Sequence, residues 1–164
     1  MKTISYKDFN ELYKSDIYYK KIRWDYYKEV IDILEKENPK SVLELGCYKL
    51  PIVKDCETMD ILKELNPTYV YDATKTPWPI KKHYDIFIAL QTFEHLENKQ
   101  RQVFKEIMRI SDKAIISFPY LWKYDKADKE HYMIDKKKIS YWTLGIKPVY
   151  EKLVNNRLVY LFNF

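Results

Sequence analysis

The polar residues best placed to do chemistry in this sequence stand where short apolar segments run out. Ser41-Val42-Leu43-Glu44-Leu45 ends at Gly46 and Cys47. Tyr84-Asp85-Ile86-Phe87-Ile88-Ala89-Leu90 ends at Gln91-Thr92-Phe93-Glu94-His95-Leu96. Asp60 closes a segment that starts at Glu57, and Asp72 follows one that runs from Thr68 to Tyr71. In open α/β sheets, ligands bind beyond the carboxyl ends of the strands. A glycine there allows close backbone approach, and the chain has only two, Gly46 and Gly145. An acid at the end of the second strand accepts from ribose hydroxyls. Asp60 can fill that role, or it can cap residues 61–65. The alternative for Asp72 is an Asx turn. His95 titrates near neutrality and can orient a substrate or act as a base, or it can pack at the start of the helix that follows. Arg23 can meet a carboxylate through a bidentate pair, or it is a surface arginine beside the aromatic stripe of its helix. His83 reads as a surface loop residue. His83, His95 and His131 have no spacing typical of a zinc site, so metal dependence is not expected.

These residues need a scaffold, and the apolar periodicity supplies one. Ile17, Ile22, Trp24, Tyr27, Val30, Ile31 and Leu34 predict a helix over 17–37. Ser15 or Asp16 is its candidate cap, and Asn38-Pro39 stops it. Strands follow at 41–45 and 57–61, with 50–56 ambiguous between them. A short helix at 62–65 is stopped by Asn66-Pro67. A third strand covers 68–71, and Asp72 to Pro79 is a proline-punctuated loop. Residues 85–90 form the next strand. Residues 98–110 form a helix with Val103, Phe104, Ile107 and Ile110 facing inward, and 113–118 form a further strand. Residues 134–142 are a helix with Asp135 as candidate cap. The end reads as a hairpin, 149–154 and 158–162, turning at Asn155-Asn156. Strands alternating with helices indicate an α/β fold. The expectation is a Rossmann-like, mostly parallel sheet with helices on both faces and a C-terminal antiparallel hairpin.

The length, 164 residues, suits one domain. Residues 1–39 are expected as an N-terminal helical cap and 40–164 as the core. A hydrophobic content of 46% is enough to fold. The net charge is +5, but lysines and acids are interspersed apart from Lys136-Lys137-Lys138, which argues for a solvated surface rather than a nucleic-acid face. Cys47 and Cys56 form no CxxC, and a reducing cytoplasm fits them. The sequence shows no signal peptide and no apolar run near membrane-span length.

The strings at Glu44-Leu45-Gly46-Cys47 and at Asp85 to Leu96 resemble the first and fourth motifs of class I S-adenosylmethionine (SAM) methyltransferases. They are similar to the small-molecule, type 11-like members. The resemblance covers roughly residues 40–164 and implies SAM as cofactor. It implies that the loop at Gly46 and Cys47, entered through Glu44, approaches the methionine part of SAM. The family pattern there is acid-x-Gly-x-Gly, and Tyr48 takes the second glycine position, which implies a displaced loop or a weakened cofactor site. Asp60 is the expected ribose acid. It lies 14 residues after Gly46, so the first crossover helix is expected to be rudimentary. Asp72-Ala73 before Pro77-Trp78-Pro79 is similar to a family string whose acid and following amide meet adenine. A rival register makes Asp72 the ribose acid. The resemblance sets Leu90, Gln91 and Thr92 against the adenine and the sulfonium.

Glu94-His95-Leu96 matches an "EHL" string of small-molecule O-methyltransferases, which implies that Glu94 lies on the substrate side and that His95 is a possible base. His131 is the preferred general base, because related chains carry a substrate-facing histidine there. Its alternative is an exposed histidine beside Glu130. Arg23 and Tyr19 are the expected substrate contacts on the covering helix. Phe118-Pro119-Tyr120 resembles the "PPY" of amino-methylating enzymes but follows the fifth strand, so it reads as a strand end. The expected activity is methyl transfer to an oxygen or nitrogen of a small-molecule acceptor, with no nucleic-acid or membrane partner. The alternatives are a non-catalytic, methyltransferase-like binding module and an RNA methyltransferase.

Overall fold

The structure, a computed structural model, describes residues 1–13, 17–48, 50–123 and 130–164. Strand β4 (Tyr84–Leu90) shows how the sequence builds two faces. Side chains alternate along a strand. Ile86, Ile88 and Leu90 therefore pack on one side with Val42, Ile115, Val159 and Leu161. Phe87 and Ala89 pack on the other with Leu43, Ala114, Ile116, Phe118 and Phe162. The first face is covered by α1 (Tyr6–Leu12) and α2 (Ile17–Glu37), the second by α3 (Gln100–Ile110) and α4 (Lys136–Trp142).

The seven strands lie in the order β3-β2-β1-β4-β5-β7-β6. β1 (Val42–Leu45), β2 (Glu57–Asp60), β3 (Tyr69–Val70), β4 and β5 (Ser111–Pro119) are mutually parallel. β7 (Arg157–Asn163) runs antiparallel between β5 and β6 (Tyr150–Val154). Asn155 takes the left-handed backbone of the hairpin turn, at φ 43°. The strand–helix alternation and closing hairpin read from the sequence are both present. The parallel register brings Leu45, Asp60, Val70, Leu90 and Pro119 to one edge of the sheet, and Arg157 returns there opposite Pro119.

Three features depart from the sequence reading. Among the described residues no helix joins β1 to β2, so the crossover expected to hold a rudimentary helix runs as irregular chain. The stretch after β1 is held instead by N-terminal backbone: Ile4 N–H donates to Ile52 O at 3.0 Å, Lys54 N–H donates to Lys2 O at 2.8 Å, and Thr3 bridges Val53. Second, α1 was not anticipated. A capping box starts it, with Ser5 Oγ accepting from Asp8 N and the Asp8 carboxylate accepting from Ser5 N. Third, α4 begins at Lys136 because Asp135 is the cap itself, accepting from Lys138 N at 2.7 Å. Ser15 and Asp16, the candidate caps of α2, lie outside the described residues.

The proline-punctuated loop is pinned rather than slack. The Trp78 indole is buried and stacks on Phe87 at 5.7 Å, and its Nε1–H donates to Ala73 O at 2.9 Å. Glu106 of α3 accepts from Trp78 N at 2.8 Å, and Arg109 donates to the carbonyls of Trp78 and Ile80. At the other end of the molecule, α2 is tied to the hairpin: Glu29 accepts from Tyr150 and Lys152, and Asp25 accepts from Asn155 at 2.8 Å. No described helix is long and apolar enough to cross a membrane.

Candidate functional site

A cleft opens along the carboxyl edge of β1 to β4, in two halves that share Gly46. One half is lined by Leu45, Gly46, Asp60, Ile61, Tyr71, Asp72, Ala73, Thr74, Thr92, His95, Leu96 and Glu97. Asp60 and Asp72 thus face one hollow from neighbouring strands. Each uses one oxygen in its own turn: Asp60 Oδ1 accepts from Leu62 N at 2.9 Å, and Asp72 Oδ1 accepts from Thr74 N and Oγ1 at 2.9 and 2.7 Å. These are the capping and Asx-turn alternatives read from the sequence, and they fix the carboxylates in place. The Thr74 bonds also hold Asp72 below its usual value, as an anion. No hydrogen bond among the described residues engages Oδ2 of either acid.

The other half is lined by Arg23, Tyr27, Gly46, Cys47, Tyr48, Leu90 and Gln91. Leu90 and Gln91 therefore stand together in this half, and Thr92 in the first. Gly46 adopts φ +65°, and its N–H donates to Met59 O at 2.9 Å. A Cβ at Gly46 would lie 2.6 Å from Thr92 Cγ2, so only glycine fits beneath Thr92. Tyr48 takes a left-handed backbone as well, at φ 56°. The chain follows a glycine's course at the second motif position without having the glycine. Burial, reinforced by Glu44 and Asp60, pushes the Cys47 thiol up to about 12, so it is no nucleophile at neutral pH. Arg23 Nη1–H donates to Tyr13 Oη at 3.4 Å, and the guanidinium stacks over the Tyr13 ring. The side chain of Tyr19 lies outside the described residues.

Glu44 does not line either half. Its carboxylate is buried and accepts from Ile52 N at 2.7 Å, on the side held by the N-terminal residues. Burial raises it to about 8, with the Ile52 bond working against the rise.

Beyond β4, a 3-10 turn over Phe93–His95 starts a third group of residues, of which His95 lines the first half of the cleft and Glu94 and His131 stand behind it. The Glu94 side chain has no exposed surface, and its nearest base is His131 Nε2 at 3.6 Å. Neither Glu94 oxygen has a hydrogen-bond partner among the described residues. Burial pushes this carboxyl up to about 8; its own amide and Arg157 act against the rise and Glu130 adds to it. His95 Nδ1 meets Glu130 Oε2 at 2.5 Å, and its ring stands edge-on to His131 at 4.8 Å. His131 packs against Trp122 at 5.5 Å, and the Arg157 guanidinium lies over the rings of Trp122 and Tyr26. His131, half-buried beside Glu94, is not the exposed histidine of its alternative reading. Sequence spacing did not show the cluster formed here. Two of the three histidines and Glu94 bring ligand atoms within 4.8 Å of one another, because the fold joins the ends of β4 and β5. Trp122 and Arg157 carried no sequence signal. The hairpin register sets Arg157 opposite Pro119, and Trp122 follows the end of β5 at the same edge.

No protein-family model matches the sequence, and no curated protein matches it. Solved structures do. An S-adenosylmethionine-dependent methyltransferase from Clostridium acetobutylicum matches with a TM-score of 0.66 at 14% identity, over 97% of this chain and 98% of that one. The N-methyltransferase NodS from Bradyrhizobium japonicum, solved with S-adenosylhomocysteine (SAH), matches with a TM-score of 0.66 at 12% identity, over 96% and 97%. An rRNA methylase from Escherichia coli matches with a TM-score of 0.64 at 16% identity, over 88% of this chain and 65% of that one. Strand order, the reversed strand and these likenesses agree: the chain has the fold of the class I SAM-dependent methyltransferases.

Proposed function

We propose that the chain is a SAM-dependent methyltransferase that acts on an oxygen or nitrogen of a small molecule. The observation that carries this reading is the pair Asp60 and Asp72. Each is pinned through Oδ1 and lines the same hollow, with no hydrogen bond among the described residues on Oδ2. Two acceptors between apolar walls suit a nucleoside, which brings hydroxyl and amino donors on a flat ring. Ile61, Ala73 and Leu96 supply the walls. Bound there, SAM supplies a methyl group on a positively charged sulfur. Asp60 and Asp72 accept from its nucleoside, and Arg23 supplies positive charge in the half where the amino-acid part belongs. Orientation of the acceptor supplies most of the rate. Glu94, His95 and His131 are the groups on hand for the acceptor's proton.

The small-molecule acceptor rests on charge. Arg23 is the one Lys or Arg among the described residues that line the two halves, against Asp60, Asp72 and Glu97. A phosphate backbone needs a run of Lys and Arg beside the pocket. The second reading, a methyltransferase-like module that does not turn over, is favoured by Tyr48 and by the missing crossover helix.

Calorimetric titration with SAH separates them. Saturable binding is expected, and Asp72→Ala is expected to weaken it by about 1–3 kcal/mol, because a buried ligand donor loses its acceptor. Unchanged affinity in a folded Asp72→Ala variant removes Asp72 from the site. A folded wild-type chain that gives no heat with SAH leaves the second reading.

A further inference from the structure

We propose that Glu94, His95 and His131 form a binding site for a divalent first-row transition-metal ion beside the cleft. Glu94 and His95 come from the turn after β4, and His131 from the chain after β5. One ligand atom from each lies within 4.8 Å of the other two. Around an ion, with bonds of about 2.0–2.2 Å, such atoms stand roughly 3–3.5 Å apart. Small side-chain rotations close that difference, and the two rings already meet edge to edge.

The buried carboxylate is the independent observation. Glu94 is sealed from solvent, both its oxygens lack a hydrogen-bond partner among the described residues, and His131 Nε2 at 3.6 Å is too far to provide one. Leaving a buried acceptor unsatisfied is destabilising, more so for a charged group. A doubly charged ion at this point supplies the missing partner and keeps the carboxylate ionised. The Glu130 contact to His95 Nδ1 holds that imidazole in place, as carboxylates do for ligating histidines. Trp122 against His131 adds an apolar shell.

Two imidazoles and one carboxylate suit zinc, manganese or iron better than magnesium or calcium, which prefer oxygen. Three protein ligands also leave open positions. This deepens the methyltransferase reading and rests on it for the acceptor alone: an alcohol or phenol oxygen can take an open position and release its proton to water more readily there. The two histidines then hold the ion rather than act as bases.

The test is equilibrium dialysis of the full chain against Zn²⁺ and, separately, Mn²⁺, without SAM, followed by elemental analysis. Close to one equivalent of one ion per chain is expected. Glu94→Gln and His131→Ala are each expected to lower the affinity at least 10-fold, and His83→Ala to leave it unchanged. Less than stoichiometric uptake of both ions by wild type overturns the site, as does wild-type affinity in a folded Glu94→Gln or His131→Ala variant. If Glu94→Gln does not fold, wild-type stoichiometry and His131→Ala decide. SAH titration in parallel separates the two ideas. Metal uptake without SAH binding removes the methyltransferase reading and keeps the site, whereas SAH binding without metal uptake does the reverse.

Discussion

Tyr48 is one of three non-glycine residues of the cleft, with Gln91 and Glu97, whose backbone is left-handed. A left-handed conformation costs an L-residue about 1–2 kcal/mol, and Tyr48 adopts one at φ 56° with its side chain half exposed. Tyr48→Gly removes that strain but loosens the unfolded chain by about 0.4–1 kcal/mol. The expected outcome is stability equal to wild type or up to about 1.6 kcal/mol higher, with undiminished SAH affinity, read by urea unfolding and calorimetry. Glu44 has a pH signature. Its carboxyl titrates at about 8 in the folded chain against an ordinary 4.5, so the folded chain keeps a proton that the unfolded chain has lost. The stability this group contributes is complete below about pH 4.5 and is lost as pH rises through about 8. Tyr27, Cys47 and Cys56 face the same charge. Glu44→Gln keeps an acceptor for Ile52 and is expected to be less sensitive than wild type to a change from about pH 5 to about pH 9, by a few kcal/mol in urea unfolding. Single residues were legible where the strand gave them a place: Gly46, Asp60 and Asp72 all reach the cleft edge. Glu94 and His131 were legible as residues but not as neighbours, since no local spacing encodes a contact made through two strand ends.

Among the elements, the loop after β3 depends on α3 more than on its own prolines. Glu106 and Arg109 lie one turn apart on α3. Together they satisfy the Trp78 amide and the Trp78 and Ile80 carbonyls. The charge of Arg109 and the Trp78 amide hold Glu106 below its ordinary value even though partial burial acts the other way. Arg109→Met is expected to destabilise the fold by about 1–3 kcal/mol and to weaken SAH binding too, because Ala73 and Thr74 belong to the same loop. Glu106→Gln keeps an acceptor for Trp78 and is expected to cost less. Calorimetry and denaturant unfolding on both variants check the order. The strands and the long helix α2 were readable from period and stop signals. α1 was not, although Ser5 and Asp8 stand at capping-box spacing, because seven residues are too few to establish a helical period. The loop's anchorage was invisible in sequence, since Glu106 and Arg109 look like the solvated face of an amphipathic helix.

For the molecule as a whole, strand–helix alternation and the closing hairpin were enough to reach the sheet architecture. The connection between β1 and β2 could not be read the same way, because what stabilises it comes from the far end of the chain. Glu44 and Ile4 both bond Ile52, one to its amide and one to its carbonyl. The loop that leaves Gly46 is therefore stitched to the first residues of the protein. Amide hydrogen exchange gives this a readout. Restraining Gly46 with SAH is expected to slow exchange at Ile4 and Lys54, whose N–H groups donate into that connection. Unchanged exchange at both amides, with SAH bound, would show that the cleft moves independently. If they slow, the amino terminus acts as a remote gauge of cleft occupancy, and a fusion partner attached there will change apparent ligand affinity without touching the cleft.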